Sequence, residues 1–147
     1  MSPATDWASF VGGLIAGEGT FVCTGRRPSF TFSIRLGAAD GDLLREVKEF
    51  FGCGTLHWYP RRKAHYDDEM VFQVRRLADL VGVVVPYMDE HLPPSYKRLQ
   101  YEAWRDKLVL YCDQRPRGPR RCAVPGCTEP ARALDRCRHH YYLLTGR

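Results

Sequence analysis

Two short segments of this chain hold residues whose types and spacing could do chemistry. Residues 10–21 read Phe-Val-Gly-Gly-Leu-Ile-Ala-Gly-Glu-Gly-Thr-Phe, an apolar run that ends in the carboxylate of Glu18. Near the other end, the spacing Cys122-x4-Cys127-x9-Cys137-x2-His140 has the ligand types and short separations of a tetrahedral zinc site. The first segment therefore offers a carboxylate beside a glycine-rich run, and the second offers three thiols and an imidazole.

The glycine-rich run is typical of a helix that lets another backbone come close. On a helix, Phe10, Gly13, Leu14 and Gly17 are spaced i, i+3, i+4, i+7 and share one face. Each glycine inside a helix costs roughly 1 kcal/mol relative to alanine, so three of them indicate a close backbone contact. If a second copy of the helix crossed at that face, two Glu18 carboxylates would meet and repel unless a cation lay between them. The run predicts a dimer interface with a divalent-metal site across its two-fold axis. The alternative is a buried helix whose Glu18 merely faces solvent.

The composition allows one domain of ordinary size with a small appendage. The chain has 147 residues, 44% of them hydrophobic, and no apolar run reaches the length of a membrane span. Residues 1–112 contain 14 basic and 14 acidic side chains, whereas residues 113–147 contain 8 arginines and 3 acids, so the excess of +5 lies in the tail. A basic tail favours a polyanionic partner, although a merely solvated tail is the alternative.

The start of the sequence lacks the basic and apolar stretches of a secretory signal. We therefore expect a cytoplasmic protein that is not secreted and has neither a membrane nor a small-molecule substrate as partner; its basic tail favours association with a polyanion such as DNA. Without such a signal, metal ligation explains the cysteine cluster better than disulfides do. About 26 residues cannot bury a core alone, so Zn²⁺ is expected to hold this module together. The alternative is three free thiols in a disordered tail.

Details of the module sharpen this expectation. The Pro125-Gly126 pair before Cys127 predicts a tight turn that lets two sulfurs face one ion. His139 is the alternative to His140 as the fourth ligand. The arginines of the module are expected to touch phosphate and to extend the DNA footprint; these are Arg132, Arg136 and Arg138.

The polar and apolar pattern predicts helix, two strands, helix, two strands and further helices, then a linker and the small module. The predicted elements are a helix over 6–18 capped by Asp6, strands over 20–26 and 29–36, a helix over 40–51 capped by Asp40 or Asp42, strands over 54–61 and 65–75, a helix over 77–88 that Pro86 kinks or ends, and a helix from Ser95 to about 111. The predicted domains are residues 1–112, a basic linker over 113–121 and a zinc-binding module over 122–147.

Polar side chains alternate with apolar ones along the predicted strands, with Leu56 and Trp58 among those expected to face the core. The outward polar groups can reach base edges in a major groove, and cations beside them suit phosphates. An ordinary solvated sheet face is the alternative. The residues expected to contact DNA are Arg26, Arg27, Ser29, Thr31, Ser33, Arg35, His57, Tyr59, Arg61, Arg62, Lys63, Gln73, Arg75 and Arg76.

Residues 11–19 match in register the nine-residue motif of the LAGLIDADG homing endonucleases, and the predicted order αββαββα over 7–111 is similar to that family's fold. Residues 51–54 and the pair Lys97 and Gln100 also match. The short Cys₃His segment resembles zinc modules appended to phage-type nucleases. The resemblance implies an α+β fold with a four-stranded antiparallel saddle sheet and a zinc-stabilised C-terminal module.

The resemblance also implies a chemistry. One motif per chain implies a homodimer in which Glu18 and the backbone carbonyl of Gly17 bind catalytic Mg²⁺. Lys97 would stabilise charge near the scissile phosphate, although an ordinary surface lysine is the alternative. The chain departs from the family pattern at Leu36 and Asp40, where some relatives carry Gln and Arg, and this puts cleavage in doubt.

The implied activity is that of a Mg²⁺-dependent, site-specific homing endonuclease that breaks double-stranded DNA. By resemblance, it would cut a long, near-palindromic site to leave short 3′ overhangs and would serve the mobility of an intron or free-standing element. The alternatives are a non-cleaving DNA-binding regulator and an RNA splicing factor (maturase) on the same fold.

Overall fold

The structure, a computed structural model, describes residues 6–115 and 121–146. The backbone divides into two compact units between Tyr111 and Cys112. In chain order the elements that begin before the division are α1 (Trp7–Glu18), β1 (Gly19–Thr24), β2 (Ser29–Gly37), a 3₁₀ turn (Ala38–Asp40), α2 (Gly41–Phe51), β3 (Thr55–Tyr59), β4 (Glu69–Val74), α3 (Leu77–Asp79), a π-helical turn (Leu80–Val84), α4 (Val85–His91) and α5 (Tyr96–Gln114). The last turn of α5 extends beyond the division.

The four strands form one antiparallel sheet in the order β1-β2-β4-β3. The α+β class and the four-stranded antiparallel sheet are therefore confirmed. Alternation along β2 works as the sequence predicts: Phe30, Phe32 and Ile34 are buried, and the side chains between them point to the other face. The helices cover the apolar face and leave the polar face open.

Trp58 does not join this core, contrary to the prediction, and is 59% exposed. It lies on β3, an edge strand that pairs only with β4, so it has sheet neighbours on one side alone. There it borders a shallow depression with Met70, Gly41 and Arg45.

Several strand ends fall short of the predicted ends. β1 stops at Thr24, because Gly25 turns the chain with φ +91°. β3 stops at Tyr59, before Pro60, which has no N–H to donate to a ladder. β4 runs only from Glu69 to Val74. As a result, Arg26, Arg61 and Arg75 lie beside the strands and not within them.

Helix ends confirm two predicted caps and correct a third. Asp6 accepts the N–H of Ser9 at the start of α1 (3.3 Å), and Ser95 accepts the N–H of Arg98 at the start of α5 (3.1 Å). Asp40 stands at the N-cap of α2 but makes no side-chain capping bond, and Asp42 pairs with Arg45 instead.

Pro86 does not end its helix. The helical path continues through the π-helical turn into α4, and Pro86 lies in the first turn of α4, where a missing N–H is tolerated. The last long helix, α5, continues three residues past the predicted end at 111, so the first two residues of the predicted linker are helical. Within that linker, residues 116–120 lie outside the described part of the chain.

Two contacts fix α4 between its neighbours. The Tyr87 hydroxyl donates to the carbonyl oxygen of Ala8 in α1 (2.6 Å). On the other side, the carboxylate of Asp89 accepts from the Tyr101 hydroxyl (2.6 Å) and from the Arg105 guanidinium (2.8 Å), both on α5. Burial raises the pKa of Asp89, but these two hydrogen bonds outweigh it and hold the pKa below its usual range.

The described part of the second unit contains the last turn of α5, an irregular segment over residues 121–137 and α6 (Arg138–Thr145). Val124 accepts the N–H of Cys127 (3.0 Å), and Gly126 has φ +80°, which is the tight turn that the Pro-Gly pair predicts. Cys137 caps α6, with its sulfur accepting the N–H of His140 (3.5 Å). Over the described residues, no helix has the length and apolar character needed to cross a bilayer.

Candidate nucleic-acid interface and metal centres

Glu18 stands at the junction of α1 and the sheet. It is the last residue of α1, and β1 begins at the next residue, Gly19. A side chain at Gly19 would lie 2.6 Å from the Ile15 side chain, so only glycine allows the strand to leave the helix directly. The Glu18 side chain is exposed, and within the described residues no hydrogen bond or ion pair engages its carboxylate. The carboxylate is therefore free to bind a cation.

The helix face that leads to Glu18 is open in the single chain. Phe10 is 42% exposed, and Gly13 and Gly17 are also exposed. A Cβ added at Gly13 or Gly17 would meet nothing within 4 Å in the described structure. Leu14 is half-buried on the same face. The predicted interface residues are thus accessible in the single chain, as a helix-to-helix contact between two chains requires.

Lys97 lies near the beginning of β1. It lines a groove of about 410 Å³ between α5 and β1. The other lining residues are Thr20, Phe21, Cys23, Gln100, Ala103, Trp104 and Lys107. Trp104 fixes the groove by donating its indole N–H to the carbonyl oxygen of Val22 (3.0 Å). Because Thr20 is two residues after Glu18, the groove lined by Lys97, the predicted charge stabiliser, begins two residues along the chain from the predicted metal ligand.

The open face of the sheet carries a polar row that crosses all four strands. Thr20 pairs with Ser33, Ser33 with Gln73, and Gln73 with Thr55. His57 lies beside this row, and its Nε2 contacts Gln73 Nε2 (2.8 Å) and Thr55 Oγ1 (3.0 Å). The sequence does not predict Thr20 or Thr55 as DNA contacts. Which polar side chains lie side by side across the sheet depends on the register of the strands, and local sequence patterns do not give that register.

The predicted cations surround this face, but they are not alone there. Arg35 pairs with Glu69 (2.6 Å) and lies over the Tyr59 ring (5.3 Å). Asp68 accepts the backbone N–H of Arg61 (2.8 Å). A groove at this end of the sheet is lined by three arginines and three acids; these are Arg35, Arg61, Arg62, Asp67, Asp68 and Glu69. The acids limit the positive potential at this end of the sheet.

The other predicted DNA contacts are accessible. Ser29, Thr31 and Ser33 alternate on the open face of β2 and are half-buried. The remaining cations are exposed at the turns and loops that flank the strands; they are Arg26, Arg27, Arg62, Lys63, Arg75 and Arg76.

The second unit brings four ligand atoms together. The three thiols and the imidazole of the predicted set have ligand atoms within 4.8 Å of one another; the set is Cys122, Cys127, Cys137 and His140. Sulfur to sulfur, Cys127 and Cys137 are 3.9 Å apart, and His140 Nδ1 is 3.4 Å from Cys122 Sγ and 3.1 Å from Cys137 Sγ. In a tetrahedral zinc site with bonds of about 2.3 Å to sulfur, neighbouring sulfurs are about 3.8 Å apart. The donor set therefore fits Zn²⁺.

The structure selects His140 over His139 for this cluster, because only the His140 ring lies in it. Burial raises the pKa of the Cys122 thiol, but backbone N–H groups of Cys137 and Val124, together with His140, outweigh it and lower the pKa to about 6. A thiol with a lowered pKa is largely a thiolate at neutral pH, and the thiolate is the form that binds metals.

Comparison with known proteins identifies the family. The chain belongs to the LAGLIDADG endonuclease family, whose model matches residues 11–108. A curated relative, the probable intron-encoded endonuclease 2 of Neurospora crassa, is 27% identical over 104 residues. That match covers 69% of this chain but only 22% of the relative, so the chain spans about a fifth of the relative's length.

Solved structures share the fold. I-GzeII in complex with its DNA target has a TM-score of 0.66 and 19% identity, with 77% of this chain and 39% of that chain covered. I-SmaMI bound to uncleavable DNA has a TM-score of 0.64 and 16% identity, with 75% and 38% covered. I-TnaI has a TM-score of 0.60 and 23% identity, with 72% and 74% covered. The fold of residues 7–111 is thus that of LAGLIDADG endonucleases.

Proposed function

We propose that this chain is one subunit of a homodimeric, site-specific endonuclease that hydrolyses phosphodiester bonds of double-stranded DNA with Mg²⁺. The observation that carries the proposal is the unpaired carboxylate of Glu18 at the end of an exposed glycine strip. Two such strips in contact would bring two carboxylates together at one edge of two polar sheet faces. The single motif per chain supports the dimer, because one chain supplies only one such carboxylate.

The proposed role of each residue depends on where it lies in the fold. Glu18 and the backbone carbonyl of Gly17 would hold the metal, which when bound activates water and stabilises the leaving oxygen. Lys97, in the α5–β1 groove, would neutralise charge on the attacked phosphate. The polar sheet face orients the duplex by reading base edges, and the flanking arginines hold its phosphates. A two-fold symmetric protein of this kind would favour a long, near-palindromic site.

We propose further that the second unit binds one structural Zn²⁺ and adds phosphate contacts. Its support is the cluster of three sulfurs and one imidazole nitrogen, which lie within 4.8 Å of one another. The exposed Arg132 and Arg138 are available for a polyanion.

The test uses the full chain and DNA from its host locus, incubated with Mg²⁺ or with Ca²⁺. We expect double-strand breaks with short 3′ overhangs only with Mg²⁺. Glu18→Gln should abolish them without loss of binding, whereas Glu49→Gln, an exposed acid on α2, should cut normally. Binding without breaks in the unaltered protein would instead support a non-cleaving regulator, as the departures at Leu36 and Asp40 suggest. Preferential binding of the intron transcript would support a maturase.

A further inference from the structure

The polar row on the sheet contains a pre-formed hydrogen-bonding unit. Gln73 is at the centre of the row, on β4, between Ser33 of β2 and Thr55 of β3. The row also leads to Thr20, two residues after Glu18, so it is the part of the open face next to the proposed metal site. Whatever base Gln73 contacts therefore lies in the inner part of each half-site.

The contacts of His57 determine which atoms of Gln73 are occupied. An amide nitrogen can only donate, so His57 Nε2 must be the acceptor in its 2.8 Å contact with Gln73 Nε2. The neutral ring then carries its proton on Nδ1, and the Thr55 hydroxyl also donates toward Nε2 (3.0 Å). The imidazole thereby fixes the rotation of the Gln73 side chain.

The edge of Gln73 that remains carries one acceptor and one donor. Within the described residues, no hydrogen bond engages the amide oxygen of Gln73 or its second N–H. In the major groove, adenine presents a donor at N6 beside an acceptor at N7, which matches this edge in two parallel hydrogen bonds. Guanine presents two acceptors there, one of which would face the amide oxygen. Arg35, which could bind guanine, is held by Glu69.

We infer that Gln73 reads one adenine in the inner part of each half-site, and that His57 is the positioning residue that orients Gln73 for it. This inference rests on the proposed binding of double-stranded DNA but not on cleavage. A matched adenine is expected to be preferred about tenfold or more over the other bases at that position.

The experiment selects duplexes from a library with a randomised target by binding to the full chain in Ca²⁺, followed by affinity measurements on single-base variants of the selected site. Gln73→Ala should reduce the adenine preference at one position of each half-site to near onefold and leave the others unchanged. His57→Leu should reduce it at the same position, because the acceptor is gone. His57→Gln should restore it, because a glutamine oxygen can occupy the place of Nε2.

A matched control is His65→Leu, which alters an exposed histidine of the β3–β4 loop and should leave the preference intact. Thermal melting of each variant checks that the fold is retained. An unchanged preference in Gln73→Ala or in His57→Leu would overturn the inference while the proposed endonuclease stands. If the wild-type chain selects a sequence but never cuts it with Mg²⁺, the endonuclease proposal fails and the inference survives. If it selects no sequence, both are wrong.

Discussion

Gly12 packs against His91 so closely that a Cβ at Gly12 would overlap the carbonyl oxygen of His91. This contact is the point where α1 crosses α4, and the Tyr87 hydroxyl lies close to it. The glycines of α1 therefore serve two purposes. Gly12 allows a helix of the same chain to approach, whereas Gly13 and Gly17 face outward, and among the described residues no atom lies within 4 Å of a Cβ added at either.

Alanine substitutions at neighbouring glycines should separate these two purposes. Gly12→Ala should lower the thermal midpoint, because the overpacking of α1 against α4 typically costs 1–3 kcal/mol. Gly13→Ala should leave the stability of the isolated chain unchanged or raise it by up to about 1 kcal/mol, because alanine favours the helix. The same change should block the dimer contact, so the protein should elute from gel filtration as a monomer. A Gly13→Ala protein that elutes as wild type and cuts DNA would contradict the proposed interface.

Lys97 and Lys107 offer a test of the α5–β1 groove. Both line it, but Lys97 is in the first turn of α5 and Lys107 is ten residues further along. Lys97→Met should lower the single-turnover cleavage rate by about 10²-fold with little change in affinity, because it would remove charge stabilisation in the transition state. Lys107→Met should change the rate much less, and equal effects of the two would argue against a catalytic role for Lys97.

The histidine pair of the second unit allows a controlled test of metal binding. His140→Ala should reduce bound zinc, measured by atomic emission on purified protein, and should make residues 121–146 sensitive to protease. His139→Ala, at an exposed neighbour outside the cluster, should keep one zinc per chain. Equal zinc in both variants would show that the cluster does not hold the metal.

The Asp89 carboxylate should contribute stability that depends on pH. Its pKa is lower in the folded chain than the ordinary value near 3.9, so its stabilising effect is complete above that value and is lost as the pH falls through the folded pKa. Asp89→Asn should therefore lower the thermal midpoint at pH 7, and the difference from wild type should shrink below about pH 4. A difference that is constant from pH 7 to pH 3 would contradict the assignment.

Removal of residues 116–147 should test the second unit as a DNA contact. We expect weaker binding to a 40-bp duplex and a smaller slope of log affinity against log salt concentration, since each lost phosphate contact reduces the slope by about 0.9. Unchanged affinity and slope would leave the module with a structural role only.

Periodicity was sufficient to predict most of the fold, because β2 and α2 carry strong patterns of their own. Phe30, Phe32 and Ile34 alternate without interruption, and burial of one sheet face leaves them no other arrangement. The cluster of three cysteines and one histidine was predictable for a different reason: four candidate metal ligands of two residue types lie within 19 residues of sequence.

The errors and omissions concern relations between distant segments. The sequence predicts that Trp58 faces the core because apolar and polar side chains alternate along this strand. Its exposure follows from its position on an edge strand, and that position depends on the strand order. The contact between Gly12 and His91 joins residues 79 positions apart, and the row through Gln73 depends on the register of three strand pairs. Local patterns carry no information on such registers.

The sheet order has a consequence for the step of folding at which the polar row forms. β1 with β2 and β3 with β4 are neighbours along the chain, but the central pairing of β2 with β4 closes a loop that contains α2 and β3. Closing such a loop costs entropy before its contacts are made, so non-local pairing tends to be slow. Ser33 and Gln73 become neighbours only at that step. A chain in which both hairpins have formed but β2 and β4 are not yet paired would therefore lack the polar row through which we propose that bases are read.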